Sequence, residues 1–247
     1  MDPVLSPDGQ QIAFADMSAD DVEHGGLWLV NIGGNNLERI FAGNVVGPAW
    51  SPDGKQLAYS APSGDTAQTR QALIYVIDAD GVNRRRVGNG LYPDWSPDGR
   101  HLLVTRLSDD DEMWNTSLER LPVDGGPPER LVDAPAMAGV WSPDGKQIAY
   151  TRLQGAPPHS EIVIAEADGA NPRTLLSSDE DFSYLRPRWL PDGQHLLISA
   201  MRSTDDDHPK SVLLIVDVES GDFHPLTDQV EAMNTSLLGV LTLMHFY

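Results

Sequence analysis

Short apolar runs separated by turn-forming residues recur along the chain. One set of runs reads Ile12-Ala13-Phe14, Leu57-Ala58-Tyr59, Leu102-Leu103-Val104, Ile148-Ala149-Tyr150 and Leu196-Leu197-Ile198. Their residues are apolar at consecutive positions rather than at alternate ones, which is typical of strands that are buried on both faces. The pattern therefore predicts sheets that are each packed between two others.

A turn signature precedes each of these runs and marks a repeat. It reads Ser-Pro-Asp-Gly in four copies and Leu-Pro-Asp-Gly in the fifth, and successive glycines are 45, 45, 46 and 48 residues apart. Proline sets φ at the first turn position, aspartate bonds the nearby backbone, and glycine accepts the left-handed conformation, so each copy predicts a hairpin turn. The predicted structural turn residues are Asp8, Asp53, Asp98, Asp144 and Asp192.

Each copy continues with a second apolar run, a second glycine-containing turn and a short final run. Together with the segment before the signature, this order gives four strands per repeat, and a period of about 45 residues is typical of propeller blades. We therefore predict an all-β fold, a β-propeller of five complete four-stranded blades. The predicted blades span residues 1–46, 47–91, 92–137, 138–184 and 185–228.

A remainder, residues 229–247, follows the fifth copy and ends in a largely apolar run. We expect it to add one or two strands as part of a sixth blade, or to form a tail. The run is shorter than the roughly 20 apolar residues that span a membrane, so we expect no membrane insertion. Because terminal repeats expose a strand edge and a blade face, self-association through the terminal blades or the tail is an alternative.

The repeat resembles a known family. Residues 141–150, Trp-Ser-Pro-Asp-Gly-Lys-Gln-Ile-Ala-Tyr, and residues 74–85, Ile-Tyr-Val-Ile-Asp-Ala-Asp-Gly-Val-Asn-Arg-Arg, are similar to the WD40-like (PD40) repeats of the TolB family. The resemblance implies a propeller of the kind found in TolB translocation proteins, in the gating propellers of prolyl-oligopeptidase-type enzymes and in some polysaccharide lyases. It also implies a periplasmic location. Such propellers usually have one blade more than the five complete copies of this chain.

The net charge of the chain limits the classes of partner that are expected. The chain has 17 basic and 37 acidic residues, a formal net charge of −20, which argues against nucleic acid and anionic membranes as partners. We expect a protein or peptide partner that is basic. The chain has no cysteine, which excludes disulfides and thiolate metal sites. Its first residues, Met1-Asp2-Pro3, lack the basic and apolar regions of a signal peptide.

Acidic side chains concentrate in the loops between second and third strands and between blades. Strand order predicts that these loops lie on the face opposite to both glycine turns. The residues of this predicted acidic face are Asp20, Asp21, Asp109, Asp110, Asp111, Asp205, Asp206 and Asp207. Two interpretations remain open, a docking surface for a basic partner and a rim that keeps the protein soluble. We expect no cofactor and no dedicated metal site beyond weak calcium binding by these loops.

A second candidate site lies on the first strand of each blade. The position before the tryptophan of the signature is mostly apolar but carries Asp94 in the third copy and Arg188 in the fifth. Polar outliers in an apolar ring predict a ligand site at the mouth of the propeller channel. An ion pair between these two residues, or simple solvation, explains them equally well. The candidate residues are Tyr92, Asp94, Tyr184, Arg186 and Arg188.

No catalytic motif accompanies the repeats. The sequence lacks the Gly-x-Ser-x-Gly nucleophile elbow, the His-Glu-x-x-His zinc motif and the Walker phosphate loop. We therefore expect a scaffold without enzyme activity that binds a protein or peptide. The alternatives are a ligand-binding or lyase-like propeller, and the propeller portion of a peptidase-type protein that lacks its catalytic domain.

Overall fold

The chain forms only β-strands in the part that can be described. The computed structural model describes residues 3–16, 25–62, 72–108, 115–133, 135–154, 159–178, 182–202 and 210–226. These ranges contain five antiparallel sheets, each made of four consecutive strands. No helix in them has the length and apolar character needed to cross a membrane.

The strands follow the repeat. Blade one contains β1 (Val4–Leu5), β2 (Gln11–Asp16), β3 (Gly26–Asn31) and β4 (Glu38–Ala42). Blade two contains β5 (Val46–Trp50), β6 (Gln56–Pro62), β7 (Ala72–Asp78) and β8 (Arg85–Asn89). Blade three contains β9 (Leu91–Trp95), β10 (His101–Leu107), β11 (Thr116–Pro122) and β12 (Glu129–Val132). Blade four contains β13 (Ala136–Trp141), β14 (Gln147–Gln154), β15 (His159–Glu166) and β16 (Arg173–Ser177). Blade five contains β17 (Phe182–Trp189), β18 (His195–Arg202), β19 (Lys210–Asp217) and β20 (Phe223–Pro225).

The predicted fold class is confirmed, since the chain is an all-β propeller with five four-stranded blades. Within the chain, two compact units can be distinguished. The first unit holds strands β1 to β10 and most of β11, and the second holds most of β12 and strands β13 to β20. The predicted tail, residues 229–247, lies outside the described residues.

The sheet of blade two is buried on both faces, as its uninterrupted apolar run predicts. Alternate residues of β6 contribute to different apolar clusters. Leu57 and Tyr59 pack with side chains of blade one, and Ala58 packs with side chains of β9 and β10. In the second unit, one cluster joins blades four and five. Full burial of one large apolar side chain stabilises a fold by about 1.5–3 kcal/mol, so these faces hold the blades together.

The tryptophan of the signature connects each blade of the first unit to the one before it. The Trp50 indole donates a hydrogen bond to the Val4 carbonyl over 3.3 Å, and the Trp95 indole donates to the Ala49 carbonyl over 3.1 Å. The first copy has Leu5 at this position, and its side chain is 56% exposed. The tryptophan is therefore a residue of the contact between blades of the first unit.

The signature turn is closed by a hydrogen-bonded serine and aspartate. In blade two, the Ser51 hydroxyl donates to the Asp53 carboxylate over 2.7 Å and accepts a bond from the Gln56 backbone over 2.9 Å. The same carboxylate accepts the Lys55 backbone N–H over 3.1 Å. Blades one, three and four repeat these bonds. The aspartate carboxylate is therefore engaged in hydrogen bonds within the turn.

The fifth copy closes the same turn with different chemistry. Leu190 replaces the serine, and Asp192 accepts backbone N–H groups of Gln194 over 2.8 Å and of His195 over 3.1 Å. The His195 Nδ1 lies 2.8 Å from the other carboxylate oxygen. An additional backbone bond and an imidazole thus take the place of the missing hydroxyl.

These bonds lower the pKa of the turn aspartates below the ordinary value of 3.8. The serine hydroxyl is the main cause in the first four copies, and the Gln194 N–H is the main cause for Asp192. A lowered folded-state pKa means that the charged carboxylate stabilises the fold. This contribution is present above the unfolded-state pKa and is lost as the pH falls through the lowered value.

Replacing the serine of one turn should move the titration of its aspartate. We expect Ser142→Ala to raise the pKa of Asp144 toward 3.8, because the hydroxyl donor is lost, and to shift acid unfolding to higher pH. Carboxyl NMR titration of the aspartates measures this directly. Asp98, in an unaltered turn, is the internal control, and an unchanged Asp144 titration would contradict the assigned cause.

The second turn of the blade also depends on a glycine, for two separate reasons. Gly169 has a φ of +83°, and a Cβ added there would overlap the carbonyl oxygen of Leu131 on β12. Gly125, in the second turn of blade three, has a similar φ of +91°, but a Cβ added there meets nothing within 4 Å. Backbone conformation requires both glycines, and close approach requires only Gly169.

This difference predicts unequal costs for the same substitution. We expect Gly125→Ala to lower the free energy of unfolding by about 1–2 kcal/mol, the cost of the left-handed conformation. Gly169→Ala should cost about 1–3 kcal/mol more, because overpacking is added to it. Urea unfolding of the two variants gives the comparison. Equal losses would show that the chain relaxes away from Leu131 without penalty.

Candidate functional site

The first strand of blades two to five contains a bulge at one fixed position. In blade two the register with the second strand shifts between Val46 and Ala49, and blades three, four and five shift at the corresponding place. The residue at the bulge has a positive φ in every case. These residues are Gly47 (+58°), Tyr92 (+53°), Ala138 (+52°) and Arg186 (+43°). A bulge of this kind redirects the side chain that it carries.

The bulge is costly for two of the candidate residues. A left-handed conformation costs a residue with a side chain about 1–2 kcal/mol, whereas glycine adopts it freely. Tyr92 and Arg186 therefore occupy, at a cost, a position where blade two has Gly47. Strained residues of this kind are concentrated at functional sites, and here the same backbone recurs with different side chains. The bulge recurs in these four blades, whereas the side chain at the bulge differs from blade to blade.

Tyr92 is held against the neighbouring blade of the first unit. Its Cδ1 would lie 3.1 Å from a Cβ added to Gly47, so the ring lies directly on the glycine backbone. Its backbone N–H donates to the Ser60 hydroxyl over 3.1 Å, and Ser60 is fully buried. The side chain of Tyr92 is partly exposed. A fixed aromatic ring with an accessible surface results.

Asp94 lies on the same strand and is partly buried. It pairs in register with Leu103, as Ala49 pairs with Ala58 in blade two. Strand register thus places a carboxylate where the neighbouring blade has a methyl group. Asp94 is not without a partner in the structure.

The remaining candidates lie on β17 in the second unit and have three different environments. Tyr184 is only 3% exposed and belongs to the apolar cluster between blades four and five, and its backbone N–H donates to the Ser160 hydroxyl over 2.7 Å. Arg186 is partly buried, and Arg188 is exposed. The structure therefore places Tyr184 in the core, Arg186 partly buried with its Nη2 enclosed, and Arg188 at the surface.

The described residues include only some of the other predicted features. All eight residues of the predicted acidic face lie outside the described residues. Within the described ranges, no group of three histidine, aspartate or glutamate side chains is arranged to hold a metal ion. The carboxylates that recur in every blade are those of the signature turns.

Sequence reasoning missed an asparagine in the second turn. Asn83 and Asn171 follow the turn glycine by two residues and have φ values of +54° and +50°. The Asn83 amide donates to Asp78 over 2.7 Å, and the Asn171 amide donates to Glu166 over 2.7 Å. The spacing Gly-x-Asn was visible in three copies and would have identified this residue as part of the turn.

It also missed the arginines at the start of the fourth strand. Arg85 donates to the Val123 carbonyl over 2.5 Å, and Arg173 donates to the Val218 carbonyl over 2.6 Å. In each case the arginine connects a fourth strand with the second turn of the following blade. Both arginines follow the turn glycine by four residues, a spacing that marks them in the sequence.

An aromatic cluster in the first unit contacts a guanidinium group of the chain itself. The Arg84 guanidinium lies 3.6 Å from the ring centre of Tyr75 and 4.3 Å from that of Phe41, and its Nε donates to the Tyr59 hydroxyl over 2.6 Å. Burial raises the pKa of Tyr59. Cation–π contacts of this geometry stabilise a fold, so the cluster joins blades one and two.

Comparison with known proteins agrees with the fold. The family model described as the TolB β-propeller domain (PD40) matches residues 1–156. A search of curated proteins finds no match to the sequence. A puromycin-hydrolyzing peptidase of Mycobacterium tuberculosis is 18% identical, with a TM-score of 0.63 over 96% of this chain and 39% of that protein. An oligogalacturonate lyase in complex with manganese is 16% identical, with a TM-score of 0.61 over 90% of this chain and 63% of the lyase.

A third similar structure is the β-propeller domain of the Trilobed protease from Pyrococcus furiosus, 17% identical, with a TM-score of 0.57 over 94% of this chain and 71% of that domain. At such identities the likeness establishes the fold alone. The chain spans less than two thirds of the lyase and about two fifths of the peptidase. The family model, in contrast, matches more than half of the chain, including the first four signature turns. The chain belongs to the TolB β-propeller domain family.

Proposed function

We propose that this chain is a non-catalytic propeller that binds a protein or peptide through side chains at the first-strand bulges. One observation carries the proposal. The bulge has the same left-handed backbone conformation in four blades, but its residue changes from Gly47 to Tyr92, Ala138 and Arg186. A constant backbone with variable side chains is the arrangement that a binding surface needs, because the fold tolerates each replacement.

The chemistry of the two large side chains supports binding. Tyrosine and arginine are enriched at protein interfaces, where they contribute much of the binding energy. The ring of Tyr92 is already fixed on Gly47, so little conformational freedom is lost when a partner covers it. Arg186 and Arg188 suit a carboxylate or an aromatic group of the partner. The net charge of −20 favours a partner that is basic overall.

The turn aspartates support a non-catalytic role. Each one is committed to the hydrogen bonds of its own turn, and its lowered pKa keeps it ionised at neutral pH. A general acid needs the opposite shift. The acidic loops remain the proposed source of long-range attraction for the partner and of weak calcium binding.

A second candidate function is the binding of an acidic oligosaccharide. It is favoured by the two arginines on β17 and by the fold that the chain shares with an oligogalacturonate lyase. Guanidinium groups recognise the carboxylates of uronic acids by paired hydrogen bonds. The two functions differ in the ligand that competes for these arginines.

Replacement of the bulge residues by glycine should separate binding from stability. We expect Tyr92→Gly and Arg186→Gly to weaken binding of peptides selected from a random display library by at least about tenfold, equivalent to about 1.4 kcal/mol each. Their stability should change little, because relief of about 1–2 kcal/mol of backbone strain offsets the lost contacts. Fluorescence anisotropy and urea unfolding measure the two quantities.

Ala138→Gly is the matched control for this experiment. It removes the same backbone strain but no side chain that could contact a partner, so we expect about 1 kcal/mol of added stability and unchanged binding. Peptides that bind all three variants as they bind the parent chain would contradict the proposal. Failure to select any peptide would contradict it as well.

An activity assay separates the two candidate functions. We expect no release of unsaturated products from oligogalacturonate, with or without manganese, and no cleavage of peptides. The control is the double variant Arg186→Ala, Arg188→Ala, whose background should equal that of the parent chain. Turnover by the parent chain that the double variant lacks would favour the lyase-like alternative and would exclude a purely non-catalytic role.

A further inference from the structure

A shallow groove of about 470 Å³ opens in the first unit at the second turns of blades one and two. Its lining includes Asn31, Asn36 and Glu38 from blade one and Ala79 from blade two. A second groove of about 610 Å³ adjoins it, and Ala79 belongs to both. The grooves lie on the turn side of the blades, away from the first-strand bulges.

Blades two and four show what can fill the same place. Strand register makes Glu38 the counterpart of Arg85 and Arg173, because each of the three pairs with the equivalent residue of the third strand. The two arginines donate to the carbonyls of Val123 and Val218 in the following blade. A carboxylate at this position in blade one cannot make such a bond.

The carbonyl that would accept the bond is present in the groove. The backbone N–H of Ala79 donates to Lys55, as that of Val123 donates to Arg100 and that of Val218 to Gln194. Ala79 is therefore the counterpart of the residues whose carbonyls the arginines engage. Within the described ranges, no group donates a hydrogen bond to the Ala79 carbonyl.

A second difference adds polar groups to the groove. In blades two and four the turn asparagine donates to a carboxylate, that of Asp78 or that of Glu166. Blade one has Asn31 in place of this carboxylate, and among the described residues the Asn36 amide makes no corresponding bond. Blade one thus departs twice from blades two and four. The Asn31 amide oxygen accepts a bond from the Gln11 amide over 3.5 Å, whereas the Glu38 carboxylate and the Ala79 carbonyl are acceptors in the groove lining. Blade three also has a glutamate at this position, Glu129, but it pairs with Arg120 of its own blade.

We propose that this groove binds the guanidinium group of an arginine side chain from a basic peptide. The ligand would take the place that Arg85 and Arg173 fill from within the chain, with the Ala79 carbonyl as acceptor and the Glu38 carboxylate as counter-charge. The planar fork of a guanidinium matches two separate acceptors better than an ammonium does. Leu37, which is 59% exposed, offers an apolar surface for the stem of the arginine.

The test is a titration of the full chain with N-acetyl-arginine amide, followed by amide NMR shifts. We expect saturable shifts at Leu37, Glu38, Ala79 and Asp80, and several-fold weaker binding of N-acetyl-lysine amide. In Glu38→Arg the chain supplies its own guanidinium, so the affinity should fall at least tenfold. Glu38→Gln keeps an acceptor without the charge and should give an intermediate loss.

Glu219→Arg is the matched control, because it makes the same charge change at an exposed turn of blade five. It should leave the affinity within about twofold, because Glu219 does not line the groove. Equal losses in both arginine variants, or shifts confined to other residues, would overturn the proposal. The inference does not depend on the bulge residues, so Tyr92→Gly should bind N-acetyl-arginine amide as the parent chain does.

Discussion

Each blade carries two apolar faces, and this requirement for burial on both sides determines most of what is seen in the two units. A sheet with Leu57 and Tyr59 on one face and Ala58 on the other cannot expose either face to water without losing several kcal/mol. Neighbouring blades within a unit therefore pack closely against each other. The tryptophan bonds, the overlap that excludes a side chain at Gly169 and the Arg84 cluster all follow from that approach.

Local chemistry made the turns and strands predictable. Proline, aspartate and glycine have conformational preferences that act within four residues, so the signature turn and its period follow directly from the order of residues. The substitution at Leu190 was equally visible, but its compensation by His195 was not, because it depends on a contact between side chains. The same limit applies to Arg84, Arg85 and Arg86. In the sequence they form a single run of positive charges. In the structure Arg84 stacks on aromatic rings, Arg85 bonds a carbonyl of the next blade and Arg86 bonds Asn89.

The candidate site was less predictable, because tertiary structure overrides residue preference there. Tyrosine and arginine disfavour positive φ, so no propensity indicates that Tyr92 and Arg186 lie at a bulge. Tyr92 and Arg186 were predicted as site residues because they are polar. The same criterion predicted Tyr184, whose ring lies in the apolar cluster between blades four and five. A tyrosine has an apolar body as well as a hydroxyl, so sequence alone does not decide between a core and a surface role.

The contact between Tyr92 and Gly47 has a consequence for how such a propeller can diversify. The Tyr92 ring lies on the Gly47 backbone, so a Cβ added at Gly47 would come within 3.1 Å of the ring and force it to shift. The bulges of blades two and three are therefore coupled. A substitution in blade two would reposition the aromatic ring that blade three presents, so the recognition chemistry of one blade can be tuned from its neighbour.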